Sequence, residues 1–169
     1  LVHNEGDNLP GLIVDVYGEM AVLQAHTTGM HDIRQQLADA VLKASSGRIT
    51  TVYDKSAEAI RKMTGRKVED GFLTGTSGAC EVLENGNRFF VDAVSGQKTG
   101  FFVDQRENRE CLARFAAGKS VLNMFGYTGG FSVYAARAGA RLVHTVDSSA
   151  PAIAMAARNM QLNGFGGPE

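Results

Sequence analysis

The pattern of apolar and polar positions divides the chain into two parts with different predicted elements. The first part predicts the order strand, strand, helix, strand, over residues 11–17, 20–26, 32–44 and 49–53. The turn pair Gly18-Glu19 between the two β-rich runs favours a hairpin. Ser45-Ser46-Gly47 ends the helix, whose apolar face is formed by Ile33, Leu37, Val41 and Ala44. We therefore expect a small α+β domain.

The second part opens with a hairpin. Residues 79–84 and 88–92 flank Asn85-Gly86, the pair favoured in type I′ turns. Polar residues 104–109 then begin a helix, because apolar side chains follow them at helical spacing.

Alternating strands and helices complete the second part. A strand is predicted over residues 121–125, a helix over 131–138, a strand over 142–146, and a last helix that ends at Asn163-Gly164. Ser149 is the predicted N-cap of that helix, with Pro151 in its first turn. Because the run over 121–125 is almost continuously apolar, we expect that strand to be buried on both faces. Short glycine turns between such elements indicate a parallel, doubly wound sheet.

Composition and charge exclude several classes of protein. The chain has 169 residues, of which 44% are hydrophobic, and a formal net charge of -1, which is typical of a globular protein and not of one that coats nucleic acid by charge alone. One basic stretch, Lys55–Lys67, favours a solvated helical face, with an RNA-facing strip as the alternative. We expect no membrane span, since no apolar run is long enough. Cys80 and Cys111 lack metal-ligand spacing, so we expect reduced thiols in a cytoplasmic protein.

Three features lie where a doubly wound sheet binds ligands, at the carboxyl ends of its strands. The glycine-rich turn Phe125–Gly130 can bring backbone amides close to a ligand, although a tight turn without a ligand is the alternative. Asp147 ends the next strand and could accept hydrogen bonds from both ribose hydroxyls of an adenosine ligand, with Ser148 beside it. Stabilisation of a helix N-terminus is the structural alternative for Asp147, and capping is the alternative for Ser148. The third feature is the polar segment Lys98–Arg109, whose charged residues could equally be ordinary surface residues.

Two long motifs resemble those of a known family. They are Gly-Gln-Lys-Thr-Gly-Phe-Phe-Val-Asp-Gln-Arg-Glu-Asn-Arg at residues 96–109 and Val-Leu-Asn-Met-Phe-Gly-Tyr-Thr-Gly-Gly-Phe-Ser-Val at residues 121–133. They resemble the bacterial large-subunit ribosomal RNA methyltransferases that are built as a PUA domain, an EEHEE linker domain and a class I methyltransferase domain. Residues 5–15 resemble the junction that leads into the linker domain of this family.

The resemblance implies a fold, a cofactor and a substrate. The fold is α/β, with an EEHEE-like domain at residues 1–75 followed by the N-terminal half of a Rossmann-like class I methyltransferase domain at residues 76–169. The cofactor is S-adenosylmethionine, and the reaction is methyl transfer to a base of large-subunit ribosomal RNA, commonly carbon 5 of cytosine. The implied cofactor contacts are Thr99, Phe101, Asp104, Gln105, Arg106, Phe125, Gly126, Tyr127, Thr128, Gly129, Gly130, Asp147 and Ser148. Gly126 stands where the family leads us to expect serine.

The same resemblance leads us to expect a piece of a longer protein. The first residue is not methionine, and the catalytic loop and nucleophilic cysteine of the family would lie beyond Glu169. We therefore expect the chain to be inactive by itself, with its half-sheet exposing an apolar face that favours association, including a possible homodimer. Two alternatives stay open: a non-catalytic RNA-binding or assembly module, and a nicotinamide-dependent oxidoreductase, which the missing G-x-G-x-x-G motif makes the weakest.

Overall fold

The computed structural model describes residues 1–166, and the chain forms two compact units. The first unit comprises Leu1–Cys80 and Val91–Phe101, and the second comprises Glu81–Phe90 and the chain from Phe102 onward. The domain boundary predicted after residue 75 stays a prediction. Residues 167–169 of the predicted second domain lie outside the described residues.

The first unit is a mixed sheet with helices packed against it. Its strands are β1 (Val2–His3), β2 (Leu12–Tyr17), β3 (Met20–Ala25), β4 (Thr51–Asp54) and β5 (Gly71–Thr74). Its helices are α1 (Thr28–Asp32), α2 (Arg34–Ala44) and α3 (Ala57–Thr64), with a short 3-10 helix over Asn4–Asp7. Within residues 1–166 the strands form one five-stranded sheet in the order β1-β2-β3-β4-β5.

Antiparallel pairing joins most of these neighbours, whereas β3 and β4 run parallel, with α1 and α2 connecting them. The core lies between the sheet and α2, where apolar residues of β2, β3 and β4 pack with Ala38 and Val41. The predicted hairpin, helix and following strand are therefore confirmed.

The second unit contains a strand-helix-strand-helix repeat. Its helices are α4 (Arg106–Ala116), α5 (Gly130–Arg137) and α6 (Ala150–Leu162), with a 3-10 helix over Val103–Gln105 before α4. Strands β8 (Ser120–Met124) and β9 (Leu142–Val146) pair in parallel on either side of α5. The predicted α/β architecture is confirmed.

The predicted hairpin is also present. Strands β6 (Ala79–Glu84) and β7 (Asn87–Asp92) pair with each other. Asn85 has φ 49° and Gly86 has φ 79°, so both central residues take the positive φ that a type I′ turn requires.

The prediction that the strand over residues 121–125 is buried on both faces is wrong. Along β8 the side chains alternate, and Leu122 is 60% and Met124 is 53% exposed. Helix α5 packs on β8 and β9, and α6 packs on β9. The side chains that point to the opposite face are not covered by any element within residues 1–166, which is why they are exposed.

The basic stretch Lys55–Lys67 forms the predicted helix α3 and its flanks. Lys62 pairs with Glu58 at 2.6 Å and Arg66 pairs with Asp32 at 3.3 Å. The Lys55 ammonium group donates to the carbonyl oxygens of Ala93 and Gly96. Lys55, Lys62 and Arg66 therefore have partners within the first unit. This favours a structural role for the stretch over an RNA-facing one.

Within residues 1–166, no helix combines the length and the apolar character that a membrane crossing requires.

Candidate cofactor-binding site

A tight turn connects β8 to α5. Phe125 and Tyr127 take left-handed backbone angles, with φ 57° and 46°, and Gly129 has φ 77°. Gly126 donates its N–H to the carbonyl of Val146 at 2.9 Å, and Gly129 donates to the carbonyl of Gly126 at 2.8 Å. Positive φ at two residues other than glycine is uncommon and clusters at functional sites, so this turn is the first candidate for ligand binding.

Packing within the protein leaves little room for a side chain at the three glycines of the turn, least of all at Gly126 and Gly129. A Cβ at Gly126 would lie 2.4 Å from Cγ2 of Thr145, and one at Gly129 would lie 2.8 Å from Cβ of Ala156. A Cβ at Gly130 would lie 3.1 Å from Cδ of Arg109. The glycines thus let β9, α6 and α4 approach the turn, which is a reason for their presence that does not depend on a ligand.

Asp147 directly follows β9, and its carboxylate accepts hydrogen bonds from the turn after β8 and from its own loop after β9. Its Oδ2 accepts the N–H of Tyr127 at 2.9 Å, and its Oδ1 accepts the N–H of Ser149 at 2.9 Å. These hydrogen bonds, that of Ser149 first, lower the pKa of Asp147, so the group is an anion at neutral pH. The backbone N–H of Ser148 adds a smaller interaction of the same kind. A carboxylate offers about four lone-pair positions, so acceptor capacity remains for other donors such as ribose hydroxyls. Both predicted uses of Asp147 are therefore compatible, because the residue orders the turn and still presents acceptors.

Helices α5 and α6 begin in these two loops and differ in their N-terminal capping. Ser149 caps α6 as predicted, because its side chain accepts the N–H of Ala152 at 3.3 Å. Helix α5 begins after Gly129 without a side-chain cap. The amides of the first turn of a helix have no intrahelical acceptor, so the start of α5 offers donors beside the Asp147 carboxylate.

Hydrogen bonds between polar side chains and a contact between two aromatic rings order the residues of the turn and of the elements beside it. Asn123 Nδ2 donates to Ser132 Oγ at 2.9 Å, and Ser132 Oγ lies 2.6 Å from Thr145 Oγ1. The Phe102 ring meets the Tyr127 ring edge to face, with centroids 5.3 Å apart. By contrast, the Phe125 side chain is 87% exposed. These contacts order the turn while one aromatic side chain stays accessible.

The polar segment predicted to enclose the cofactor is divided between the two units. Asp104, Gln105 and Arg106 belong to the second unit, in the 3-10 helix and at the start of α4. Gln105 Nε2 donates to Asp104 Oδ2 at 3.2 Å, and Arg106 Nε lies 3.5 Å from Glu84 Oε2. Asp104 and Gln105 thus contact each other and Arg106 contacts the β6 residue Glu84, and the role of all three toward a cofactor stays a prediction.

Thr99 and Phe101 belong to the first unit, where β2 holds them. Thr99 Oγ1 donates to Asp15 Oδ2 at 2.6 Å and lies 2.8 Å from the Tyr17 hydroxyl. The Tyr17 hydroxyl donates to the carbonyl of Phe101 at 2.9 Å. These contacts give Thr99 a place in the internal packing of the first unit, and its predicted contact with the cofactor stays a prediction.

The second unit contains a buried ion pair that was not predicted from the sequence. Arg109 donates through Nε and Nη2 to the two carboxylate oxygens of Glu84, each at 2.8 Å. Its Nη1 donates to the carbonyl of Phe102 at 3.0 Å, and the Tyr134 hydroxyl donates to Glu84 Oε1 at 3.0 Å. From the sequence, Arg109 could equally be an ordinary surface residue, because a partner 25 positions away leaves no local signal.

No group of three or more metal-ligating side chains occurs among residues 1–166. Cys80 and Cys111 are free thiols, as predicted. Within the described residues, the turn and the loop after β9 present backbone amides, the Asp147 carboxylate, hydroxyls and aromatic rings. This set suits a neutral or cationic ligand with hydroxyl donors better than a polyphosphate.

The chain is similar to curated proteins over nearly its whole length. Ribosomal RNA large subunit methyltransferase I of Shewanella denitrificans is 42% identical over 167 residues, which cover 98% of this chain and 42% of that protein. The protein of the same name from Aeromonas salmonicida is 39% identical over 163 residues, covering 95% of this chain and 41% of the relative. The chain thus spans well under half the length of these curated relatives.

A solved structure and a family description complete the comparison. The crystal structure of SMU.776 complexed with SAH superposes with a TM-score of 0.83 at 29% identity, covering 97% of this chain and 41% of that one. The family described as S-adenosylmethionine-dependent methyltransferase matches residues 29–167. That match includes the glycine turn, Asp147 and the helices packed on them, and the chain therefore belongs to the S-adenosylmethionine-dependent methyltransferase family.

Proposed function

We propose that the protein to which this chain belongs transfers a methyl group from S-adenosylmethionine to a base of large-subunit ribosomal RNA. The observation that carries the proposal is the Asp147 carboxylate, which is held as an anion by two backbone amides beside the uncapped start of α5. When bound, S-adenosylmethionine supplies an electrophilic methyl group, so the contribution of the protein is chiefly positioning.

The residues of the second unit fit the adenosine part of that cofactor. The remaining acceptor capacity of Asp147 suits the ribose hydroxyls, and the turn over residues 125–130 presents amides and the exposed ring of Phe125. Ser148 is exposed beside Asp147 and is proposed as a further polar contact. Thr99, Phe101, Asp104, Gln105 and Arg106 are proposed for the methionine end, on the resemblance of residues 96–109 to the family motif.

The proposed target base is cytosine, at carbon 5. The support is the resemblance of the long motifs and the printed name of the curated relatives, ribosomal RNA large subunit methyltransferase I. Large-subunit ribosomal RNA is accordingly the proposed partner, and the cytoplasm is the proposed location. Methylation of carbon 5 of cytosine requires a thiolate that adds to carbon 6 of the ring, because this addition makes carbon 5 nucleophilic toward the methyl group. Loss of the proton from carbon 5 then expels the thiolate.

Neither described cysteine suits that nucleophilic role. Cys80 donates its S–H to the carbonyl of Tyr17 at 3.3 Å in the first unit, and burial raises its thiol pKa. Cys111 is exposed on α4, outside the turn and the Asp147 loop. We therefore propose that the 169 residues by themselves do not methylate RNA.

Calorimetry with S-adenosylhomocysteine and NAD tests the cofactor assignment. We expect the 169-residue chain to bind S-adenosylhomocysteine and not NAD. Asp147→Asn should weaken that binding about tenfold or more, because hydrogen bonds to a charged acceptor are replaced by weaker ones. Asp39→Asn, which changes an exposed carboxylate on α2, is the matched control. Binding of NAD in preference to S-adenosylhomocysteine would overturn the cofactor assignment.

Transfer of a labelled methyl group tests the substrate. The natural protein that contains this chain should label large-subunit ribosomal RNA, and nucleoside analysis should find 5-methylcytidine. Label in guanosine would overturn the cytosine assignment while leaving the methyltransferase assignment intact. Cysteine-dependent turnover by residues 1–169 alone would overturn the proposed inactivity of the chain.

A further inference from the structure

A buried asparagine of α6 contacts the glycine turn from inside the protein. Asn159 has an exposure of 0%. Its Oδ1 accepts the N–H of Phe90 on β7 at 2.8 Å, and its Nδ2 donates to the carbonyl of Thr128 at 2.8 Å. Because an N–H must face the amide oxygen and a carbonyl must face the amide nitrogen, the two partners fix the orientation of the amide.

This contact holds one peptide plane of the turn at both ends. The carbonyl of Thr128 accepts from Asn159, and the N–H of Gly129 in the same peptide unit donates to the carbonyl of Gly126 at 2.8 Å. Rotation of this plane would break both hydrogen bonds and leave a buried carbonyl without its donor, which is costly. Gly129 also directly precedes α5, so the orientation of this plane affects how the first amides of α5 are presented.

The chain provides an internal comparison one helical turn away. Asn163 Oδ1 accepts the N–H of Arg88 at 2.9 Å, and its Nδ2 donates to the carbonyl of Arg88 at 2.7 Å. The two asparagines thus bond alternate residues of the same strand, β7, from successive turns near the end of α6. The difference is that Asn159 uses its Nδ2 on the turn, whereas Asn163 uses its Nδ2 on the strand and on the carbonyl of Asn159.

We propose that Asn159 is a positioning residue of the cofactor turn and that it determines the affinity for the adenosine ligand without touching it. The inference rests on the proposed function, because it assigns the consequence to a ligand held by the turn. Asn163 is assigned only the attachment of α6 to β7. Variants at the two positions can therefore distinguish a role in ligand affinity from a role in helix packing.

Matched substitutions at these two positions test the proposal. Asn159→Asp keeps the acceptor for Phe90 and places an oxygen against the carbonyl of Thr128, while Asn163→Asp makes the same chemical change at the strand. Affinity for S-adenosylhomocysteine is measured by calorimetry at a temperature at which circular dichroism shows every variant folded. In the ligand-free protein, amide hydrogen exchange of Tyr127 and Gly129 is followed by NMR.

We expect Asn159→Asp to weaken binding about tenfold and to accelerate exchange of the Gly129 amide, since one buried hydrogen bond is lost. Asn163→Asp should leave the affinity within about twofold of the wild type, which is a difference of under ~0.5 kcal/mol. If Asn159→Asp does not fold, the pair Asn159→Ala and Asn163→Ala is compared in the same way.

The outcomes separate this inference from the proposed function. Wild-type binding with equal losses in the two variants, or with no loss in either, overturns the role of Asn159 alone. Absence of binding by the natural protein that contains this chain overturns the proposed function and this inference together. Unchanged exchange at Gly129 in the Asn159 variants also overturns the positioning role.

Discussion

At the scale of single residues, the buried carboxyl group of Asp54 makes the stability of the first unit depend on pH. The carboxylate is 2% exposed and contacts the Ser56 hydroxyl, Arg34 Nε at 3.4 Å and His31 Nε2 at 3.8 Å. Burial raises the pKa of Asp54, and this exceeds the lowering by Ser56, His31 and Arg34, while Asp70 adds to the rise. At pH values between the unfolded and the folded pKa, the native state is therefore more protonated at Asp54 than the unfolded chain is.

The sign of the pH dependence follows from this raised pKa. The stability that Asp54 contributes is fully present below the unfolded pKa of about 3.9 and is lost as pH rises through the folded value. We predict that Asp54→Asn becomes more favourable relative to the wild type as pH increases from about 4 to 7. Urea unfolding at several pH values measures the difference, with Asp39→Asn as an exposed control. A difference that falls with pH would contradict the prediction.

At Gly126, the space available for a side chain is limited by Thr145 on the neighbouring strand β9. The sequence resemblance leads one to expect serine, but a Cβ at this position would lie 2.4 Å from Cγ2 of Thr145. We predict that Gly126→Ser costs about 1–3 kcal/mol of unfolding free energy, as overpacking does. In a Thr145→Ser background, where Cγ2 is absent, the same substitution should cost less. Urea unfolding of the four proteins in a double-mutant cycle measures the coupling, and additive costs would refute the steric explanation.

At the scale of elements, the Glu84–Arg109 pair joins the β6–β7 hairpin to α4, and Tyr134 connects α5 to it. Removing one partner of a buried pair leaves the other charge without compensation, which costs about 3–5 kcal/mol. We therefore predict a loss of this size for Glu84→Gln. Replacing both residues, with Glu84→Gln and Arg109→Met together, should cost less than the sum of the two single changes. Guanidinium unfolding gives the three values, and a double mutant as unstable as the sum would contradict a direct pair.

Elements with strong local patterns were predictable from the sequence, whereas those defined by distant partners were not. Asn85-Gly86 indicated the hairpin, and Ser149 with Pro151 marked the start of α6. Strand β5, by contrast, is four residues long and is ordered by its pairing with β4, so its own pattern carried little signal. In α2 the buried residues are Ala38 and Val41, and the predicted face extended too far, because Ile33 precedes the helix and is exposed.

The candidate site was predictable in part for the same reason. The glycine turn and Asp147 follow two strands in a repeated pattern, and parallel strands place such positions at one edge. The hydrogen bonds of Asn159 and Arg109 reach partners 31 and 25 positions away, so periodicity could not indicate them. The reason for the glycines at the turn also came from tertiary packing, since Ala156 and Thr145 occupy the space a side chain would need.

At the scale of the whole molecule, the second unit exposes one apolar face of its parallel sheet. Leu122 pairs with His144 and Met124 pairs with Val146 in the β8–β9 register, so these side chains share a face. Leu142 lies on that face as well, and the four apolar side chains are all exposed. A contiguous apolar surface of this kind favours association, because its burial removes the apolar area from water.

We predict that the 169-residue chain associates as its concentration increases and that the exposed sheet face is responsible. Leu122→Lys combined with Met124→Lys should shift the chain toward monomer, because two ammonium groups would have to be buried at the contact. Leu83→Lys is the matched control, since Leu83 is 72% exposed on β6 and does not belong to this sheet. Sedimentation velocity over a range of concentrations measures the change, with circular dichroism to confirm that the variants are folded. Equal association of the wild type and the double variant would show that the sheet face is not the contact, and suppression by Leu83→Lys would assign the contact to the hairpin instead.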